Sequence, residues 1–182
     1  MKFKIINPTT GEDKTYSHQT IANFLFTHLE EYGDKTEDIL KCIDYVMNPS
    51  KGGNIIIGLD NDTIVGVVIL NNTGMKGFIP ENILVYIAVD NSQRGKGFGK
   101  KLMQKAIDTA EGNISLHVEP DNPAKGLYES LGFTNKYLEI AFVIREYPLL
   151  IFPLFDGIDT FLKYFGETFG VFLQVKVSST TC

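Results

Sequence analysis

The chain of 182 residues has no tryptophan, only two cysteines and no long apolar run. No stretch approaches the roughly 18 uninterrupted apolar residues that suggest a transmembrane helix, so we expect no membrane partner. Cys42 and Cys182 are too few for the disulfide framework of a small secreted domain. Residues 1–8 also lack the apolar centre of a secretory signal peptide. Together these absences predict a cytoplasmic protein in a reducing compartment.

Positive charge is also scarce, which argues against nucleic acid as a partner. The formal net charge is -5, whereas nucleic-acid binding needs clustered cations. The composition and length suit one globular domain with a core, and we expect no metal centre. An acidic set in the first helical region is either a solvated face or a weak field that attracts an amine. Its members are Glu30, Glu31, Asp34, Glu37, Asp38 and Asp44.

The positive charge that is present gathers in one glycine-rich stretch, ILVYIAVDNSQRGKGFGKK, from Ile83 to Lys101. An apolar run leads into a polar turn, then a loop of alternating glycines and cations, and then a helix start. Glycines let the backbone approach a ligand, and a helix start presents free N–H groups with a partial positive charge. This arrangement predicts a site for a phosphate-rich ligand at the edge of a sheet. The cations of this stretch are Arg94, Lys96, Lys100 and Lys101, and Lys105 follows in the predicted helix.

The spacing of the loop narrows the choice of ligand. No glycine is followed by the Lys and Ser or Thr that a P-loop requires. Lys100 stands where a dinucleotide-binding fingerprint needs its last glycine. The pattern that fits is Arg/Gln-x-x-Gly-x-Gly/Ala, from Arg94 to Gly99. It resembles the coenzyme A loop of the GNAT superfamily of N-acetyltransferases.

The predicted order of elements agrees with that resemblance. Hydrophobic periodicity and turn residues predict β-α-α-β-β-β-α-β-α-β, an α/β fold with a mixed sheet and helices on both faces. The GNAT fold has the same order, and the resemblance covers residues 1–146, which we take as one domain. The predicted strands are 2–7, 54–59, 63–70, 83–89, 114–118 and 133–144, and the predicted helices are 18–30, 34–47, 98–110 and 123–131.

A second motif, DNPAKGLYESLGF from Asp121 to Phe133, is also similar to the family pattern. The resemblance implies acetyl-CoA as cosubstrate and implies that the Tyr128 hydroxyl protonates the leaving thiolate. It also implies that the Ile87 amide holds the oxyanion and that Val89 pairs with the pantetheine arm. The full set of coenzyme-binding candidates is Ile87, Ala88, Val89, Arg94, Gly95, Lys96, Gly97, Phe98, Gly99, Lys100, Asn122 and Tyr128.

A general base is harder to identify. Glu81, just before the strand 83–89, and Glu119, at the end of the next strand, are both candidates, and no base is needed if the amine arrives partly neutral. His117 lies beside Glu119, but strand alternation separates it from Leu116 and Val118. Tyr86 either lines the acceptor pocket or belongs to the core.

Two positions depart from the family pattern. Many relatives have Asn seven residues before the tyrosine, where this chain has Asp121 and only then Asn122. Asn122 with Pro123 is also a good helix start, so its role as a coenzyme ligand stays open. Asn91 replaces a common proline, and we expect little effect beyond a looser turn.

Residues 147–182 lie outside the resemblance. A helical stripe of apolar residues from Leu154 to Phe172 predicts a segment that docks on its own domain or forms a homodimer. The function predicted for the chain is acetyl transfer from acetyl-CoA to an amine, by direct attack in a ternary complex. The alternative is a non-catalytic acyl-CoA-binding regulatory or interaction module. The acceptor, a small-molecule or peptide amine, cannot be read from the sequence.

Overall fold

A mixed five-stranded sheet organises the computed structural model, which describes residues 1–136. The strands are β1 (Lys2–Ile6), β2 (Gly53–Asp60), β3 (Thr63–Asn72), β4 (Asn82–Val89) and β5 (Ile114–Leu116). The helices are α1 (His18–Leu29), α2 (Thr36–Met47), α3 (Phe98–Thr109) and α4 (Lys125–Ser130), with 3₁₀ turns at Glu30–Tyr32 and Asn91–Gln93. The strands stand in chain order, and this confirms the predicted α/β class.

The hairpin of β2 and β3 is the centre of the sheet. Asn61 and Asp62 connect the two strands with φ values of 48° and 62°, which suit the tight turn of a twisted hairpin. β1 pairs antiparallel with β2 on one side, and β4 pairs antiparallel with β3 on the other. β5 then adds in parallel to β4, after the crossover that contains α3.

Helices cover both faces of the sheet because neighbouring strand residues point to opposite sides. α1 and α2 cover one face, and the residues buried there include Ile21, Leu25, Ile39, Ile43, Ile55, Ile57, Val67, Ile69 and Tyr86. α3 and α4 cover the other face, and the residues buried there include Ile56, Val68, Leu70, Leu84, Leu102, Met103, Ala106 and Tyr128. The β2–β3 hairpin therefore contributes to both cores.

Most predicted elements agree with the structure to within a few residues, and the exceptions lie at strand and helix ends. β3 runs two residues further than predicted, β5 ends two residues earlier, and α4 begins two residues later. The predicted boundary near 146, the extension 147–182 and all but the first residues of the strand 133–144 lie outside the described residues. No helix within residues 1–136 is long and apolar enough to cross a membrane.

Gly53, at the start of β2, offers a test of the hairpin. Its φ is 149°, and a Cβ atom there would collide with the Leu70 carbonyl oxygen of β3. We expect Gly53→Ala to lower the free energy of unfolding by about 2 kcal/mol or more, measured by urea denaturation.

Gly126, in α4, is the matched control. Its φ is not in the left-handed region, and an added Cβ would meet nothing within 4 Å. Because alanine favours the helix, Gly126→Ala should leave stability unchanged or raise it by up to about 1 kcal/mol. Indistinguishable unfolding curves for Gly53→Ala and the wild type would contradict this account of the hairpin.

Candidate active site

The sheet has a partly open strand edge beside its last pair. β5 pairs with β4 only from Asn82 to Leu84, through Ile114 to Leu116. Within residues 1–136, no strand pairs with that edge of β4 beyond Leu84. The second half of β4 is therefore paired with β3 on one side and open on the other.

A β-bulge stands where the open edge begins. Leu70 of β3 pairs with Leu84 and Ile69 pairs with Tyr86, so Val85 has no partner of its own on β3. Residues two apart in a regular strand share a face, but here Leu84 packs on the α3 side and Tyr86 packs on the α1 side. The extra residue therefore reverses the alternation of side chains between the two faces in the second half of β4.

The open edge exposes two particular backbone positions. The Asp90 N–H donates to the Val65 carbonyl of β3 at 3.0 Å. Because backbone groups alternate direction along an antiparallel pair, those of Ala88 also point to β3, and those of Ile87 and Val89 point to the open edge. These are the two residues from which the sequence predicted oxyanion and pantetheine contacts.

The glycine-rich loop that follows β4 leaves room beside its backbone. Gly95 and Gly97 have φ values of 75° and 78°, which side-chain-bearing residues rarely adopt. A Cβ atom at either position would meet nothing within 4 Å. Gly97 is the N-cap of α3 and no side chain caps the helix, so the N–H groups of its first turn are not used within the helix. This donor set fits a pyrophosphate.

Arg94 and Lys96, two of the predicted cations, donate hydrogen bonds within the protein. The Arg94 guanidinium donates to the His28 carbonyl at 2.6 Å and to Glu30 Oε2 at 3.2 Å. The Lys96 ammonium donates to the Ser92 carbonyl and to Gln93 Oε1, at 3.1 and 2.9 Å. Lys100, by contrast, is exposed in the first turn of α3. The phosphate-binding role predicted for the Arg94 side chain therefore competes with its contacts to the end of α1.

The second motif lies close to the start of α3. A Cβ atom on Gly99 would lie 3.3 Å from the Leu127 side chain and 3.7 Å from that of Val89, so α3, α4 and the end of β4 converge. Asn122 Oδ1 accepts the Ala124 N–H at 2.9 Å, so the start of α4 uses the oxygen of this side chain. Tyr128 is buried, and its burial raises the pKa of its hydroxyl.

The two predicted bases occupy different surroundings. Glu81 accepts the Asn113 backbone N–H at 2.8 Å and the Gly77 N–H at 3.3 Å, and these bonds lower its pKa to about 2. It also lies six residues before Ile87, about 20 Å along the strand. Glu81 therefore closes the far end of the β4–β5 pair instead of serving the open edge. Glu119 is exposed in the loop between β5 and α4.

The connection from α1 to α2 approaches the site from the opposite face. The Tyr86 hydroxyl donates to Asp34 Oδ2 at 2.6 Å, which holds the connection against β4 next to Ile87. Desolvation and the negative charges of Glu31, Asp121 and Glu119 raise the pKa of Tyr32, which lies in the middle of segment 30–34. The segment is held against β4 at Asp34, its last residue.

Asn91 has a role that the sequence did not predict. Its side-chain amide donates to Glu30 Oε1 at 2.6 Å, and its backbone N–H donates to His28 Nδ1 at 3.2 Å. These bonds fix the turn to the end of α1. His28 and Glu30 stand more than 60 residues earlier in the chain, and no local pattern pairs them with Asn91.

Comparisons with known proteins agree with this geometry. A family model described as the acetyltransferase (GNAT) family matches residues 17–133. The chain is 33% identical over 82 residues to N-alpha-acetyltransferase 30 of Schizosaccharomyces pombe, covering 42% of this chain and 55% of that protein. It is 30% identical over 142 residues to the uncharacterized N-acetyltransferase YvbK of Bacillus subtilis, and the match covers 67% of this chain and 84% of that protein.

A solved structure extends the comparison to the fold. The aminoglycoside N-acetyltransferase AAC(6')-Iy, in complex with CoA, matches with a TM-score of 0.58 at 14% identity, covering 80% of this chain and 94% of that one. The chain thus spans most of two of these relatives and about half of the yeast protein. The family model covers the region from α1 to the end of the second motif. The predicted resemblance is confirmed, and the chain belongs to the GNAT family of acetyltransferases.

Proposed function

We propose that this protein moves the acetyl group of acetyl-CoA to a primary amine by direct attack within a ternary complex. The observation that carries the proposal is the open second half of β4, whose outward Ile87 and Val89 groups lie beside a loop and a helix start that suit a pyrophosphate. Family membership supports acetyl transfer as the reaction.

The backbone of β4 and the loop would hold the coenzyme. Ile87, Ala88 and Val89 offer an edge on which the pantetheine arm pairs as an added strand. The loop and the α3 start receive the pyrophosphate on their amides, and Lys100 adds positive charge. The residues that contribute these amides are Gly95, Lys96, Gly97, Phe98 and Gly99. Acetyl-CoA then supplies an activated thioester at the bulge.

Asn122 is a further coenzyme ligand in this proposal. The oxygen of its side chain accepts the Ala124 N–H, while its nitrogen is a donor of the kind that the carbonyl groups of a pantetheine arm require. The position is one residue closer to the tyrosine than in many relatives. The solved AAC(6')-Iy structure in complex with CoA supports coenzyme binding on this fold.

Attack and thiol release use the Ile87 N–H and the Tyr128 hydroxyl. The amine nitrogen bonds to the thioester carbon, and the Ile87 N–H stabilises the negative charge that develops on the oxygen. One donor of this kind is typically worth about 2.7–4 kcal/mol in the barrier. The carbon–sulfur bond then breaks, and the Tyr128 hydroxyl gives its proton to the departing sulfur. A phenol has a pKa of about 10, and burial raises that of Tyr128 further, so its hydroxyl carries its proton at neutral pH.

Glu119 is the proposed general base. It is exposed in the loop that follows β5, near Tyr32 and Asp121, and it can accept the amine proton directly or through water. Glu81 is not retained for this role, because its low pKa and its backbone bonds make it a structural carboxylate.

The direct test is release of thiol from acetyl-CoA in the presence of single amines. The panel contains a polyamine, an aminoglycoside, a free amino acid and a peptide with a free N-terminus. Amine-dependent thiol release with an acetylated amine in the mass spectrum is the expected result. Binding of acetyl-CoA without turnover on any amine would favour the non-catalytic module.

Gly97→Asp should abolish acetyl-CoA binding. The substitution adds a negative charge where phosphate is proposed to bind and a side chain where the backbone needs a positive φ. We expect the dissociation constant, measured by calorimetry, to rise by about 100-fold or more.

Gly74→Asp is the control for that prediction. Gly74 has a similar φ of 73° and equally open surroundings, but it lies in the loop between β3 and β4. Acetyl-CoA affinity within about twofold of the wild type is expected. Equal losses in the two variants would show that the glycine-rich loop has no special role.

Tyr128→Phe should slow turnover without weakening coenzyme binding. The variant keeps the packing of the ring and removes the proton donor, so kcat should fall by about 100-fold. Tyr45→Phe is the control, since the Tyr45 hydroxyl donates to the Asn72 carbonyl away from the site. Normal turnover by Tyr128→Phe would remove Tyr128 from the mechanism.

Glu119→Gln and Glu81→Gln should have opposite effects. Glu119→Gln lowers kcat by about tenfold or more with an unchanged melting temperature. Glu81→Gln leaves kcat unchanged but lowers the melting temperature at pH 7. The loss of melting temperature relative to the wild type should shrink as the pH falls from 4.5 towards 2. In that window the unfolded state binds a proton at Glu81 while the native carboxylate stays ionised, so the wild type loses the stability that the lowered pKa provides. The reverse assignment of effects would make Glu81 the base.

A further inference from the structure

Five residues tie the end of α1 to the turn and loop that follow β4, and we call them the α1–loop cluster. They are His28, Glu30, Asp90, Asn91 and Arg94. Arg94 donates to the His28 carbonyl and to Glu30, and Asn91 donates to the other oxygen of Glu30. Each Glu30 oxygen therefore has its own partner on the loop side. His28 Nε2 also lies 3.7 Å from Asp90 Oδ2.

The Glu30 backbone is in a conformation that its side chain must hold. Its φ and ψ are 55° and −129°, a region that residues other than glycine rarely adopt. Such a conformation persists where surrounding contacts over-determine it, and it is typical of functional sites. The Glu30 carbonyl accepts the Gly33 N–H at 3.2 Å, and its side chain bonds to Arg94 and Asn91. The side-chain bonds join the point where α1 ends and the next turn begins to the loop after β4.

The segment that Glu30 starts, 30–34, borders β4 on the α1 side of the sheet. Asp34, at the end of this segment, accepts a hydrogen bond from the hydroxyl of Tyr86, the residue before Ile87. The segment therefore ends beside the open half of β4. The position of the segment is fixed at one end by Arg94 and at the other by Tyr86.

We propose that Glu30 and Arg94 are positioning residues that fix segment 30–34, the amine-side wall, to the loop proposed to bind the coenzyme. The link between Glu30 and Arg94 stands on the contacts above. The role of segment 30–34 as the amine-side wall rests on the proposed function, since it places the amine on the α1 side of β4. Arg94 is then a structural link between two substrate sites and not the main phosphate ligand. The charge of Glu30 offsets that of Arg94, and Lys100 carries the charge that faces the phosphates.

Amide hydrogen exchange on the full chain tests the link without any knowledge of the acceptor. The variants are Arg94→Gln, Glu30→Gln and the double variant. We expect each single variant to speed exchange in segment 30–34 by about tenfold, and the double variant to add less than about twofold, because one interaction is lost in all three. Glu37→Gln, at an exposed carboxylate in the first turn of α2, is the charge-matched control and should change exchange in segment 30–34 little. Unchanged exchange in the single variants, or fully additive effects, would overturn the proposal.

Acetyl-CoA calorimetry separates positioning from phosphate binding. Arg94→Gln should bind acetyl-CoA within about threefold of the wild type, whereas Lys100→Gln should bind about tenfold more weakly. With the amine that the wild type acetylates fastest, Glu30→Gln should raise the amine KM by about fivefold and leave the acetyl-CoA KM within about twofold. A large loss of acetyl-CoA affinity in Arg94→Gln, with unchanged amide exchange in segment 30–34, would contradict the proposal and make Arg94 a phosphate ligand.

Glu30→Gly distinguishes a positioning role from a general loss of stability. Glycine accepts the φ of 55°, so the melting temperature should stay the same or rise while segment 30–34 still exchanges faster. A lower melting temperature with normal exchange in the segment would contradict the proposal. If the wild type binds no acetyl-CoA at all, the proposed function fails, but the exchange result still decides whether Glu30 and Arg94 hold the segment.

Discussion

The short pairing between β4 and β5 is the constraint on which the rest of the site depends. Three residue pairs join the two strands, and then the bulge at Val85 turns the second half of β4 into an edge whose outward groups pair with no strand of residues 1–136. An open strand edge is normally a liability in a folded protein. Here the glycine-rich loop, the start of α3 and the Leu127 side chain of α4 converge on the end of β4. An extended ligand with a charged end requires such an arrangement.

Charge is distributed around this edge in a way that the net value of -5 hides. The loop and the first turn of α3 present amide donors and Lys100, while segment 30–34 and the β5–α4 loop present carboxylates. Arg94 stands between these regions and bonds to the acidic one. The two regions suit an anionic coenzyme on one side of β4 and a cationic amine on the other.

The sequence predicted the elements well because each depends on local rules. Hydrophobic periodicity, the Asp60–Asp62 turn and the glycines of the loop act over a few residues, and the two motifs lie in single stretches of chain. The strand end and the side-chain roles that the sequence did not predict depend on tertiary contacts. Strand alternation continues through Val118, and only the pairing shows that β5 ends at Leu116. The structural role of Glu81 depends on Asn113, and the contacts of Arg94 and Asn91 depend on Glu30, all of them distant in sequence.

The measurement that tests the central claim most directly is residue-resolved amide exchange of β4, by nuclear magnetic resonance, with and without acetyl-CoA. In the free protein the Ile87 and Val89 amides should exchange rapidly and the Ala88 amide slowly, because only Ala88 points to β3. Acetyl-CoA should slow Ile87 and Val89 and leave Ala88 unchanged. Rapid exchange at Ile87 and Val89 that persists in a protein saturated with acetyl-CoA would contradict the claim that this edge binds the coenzyme.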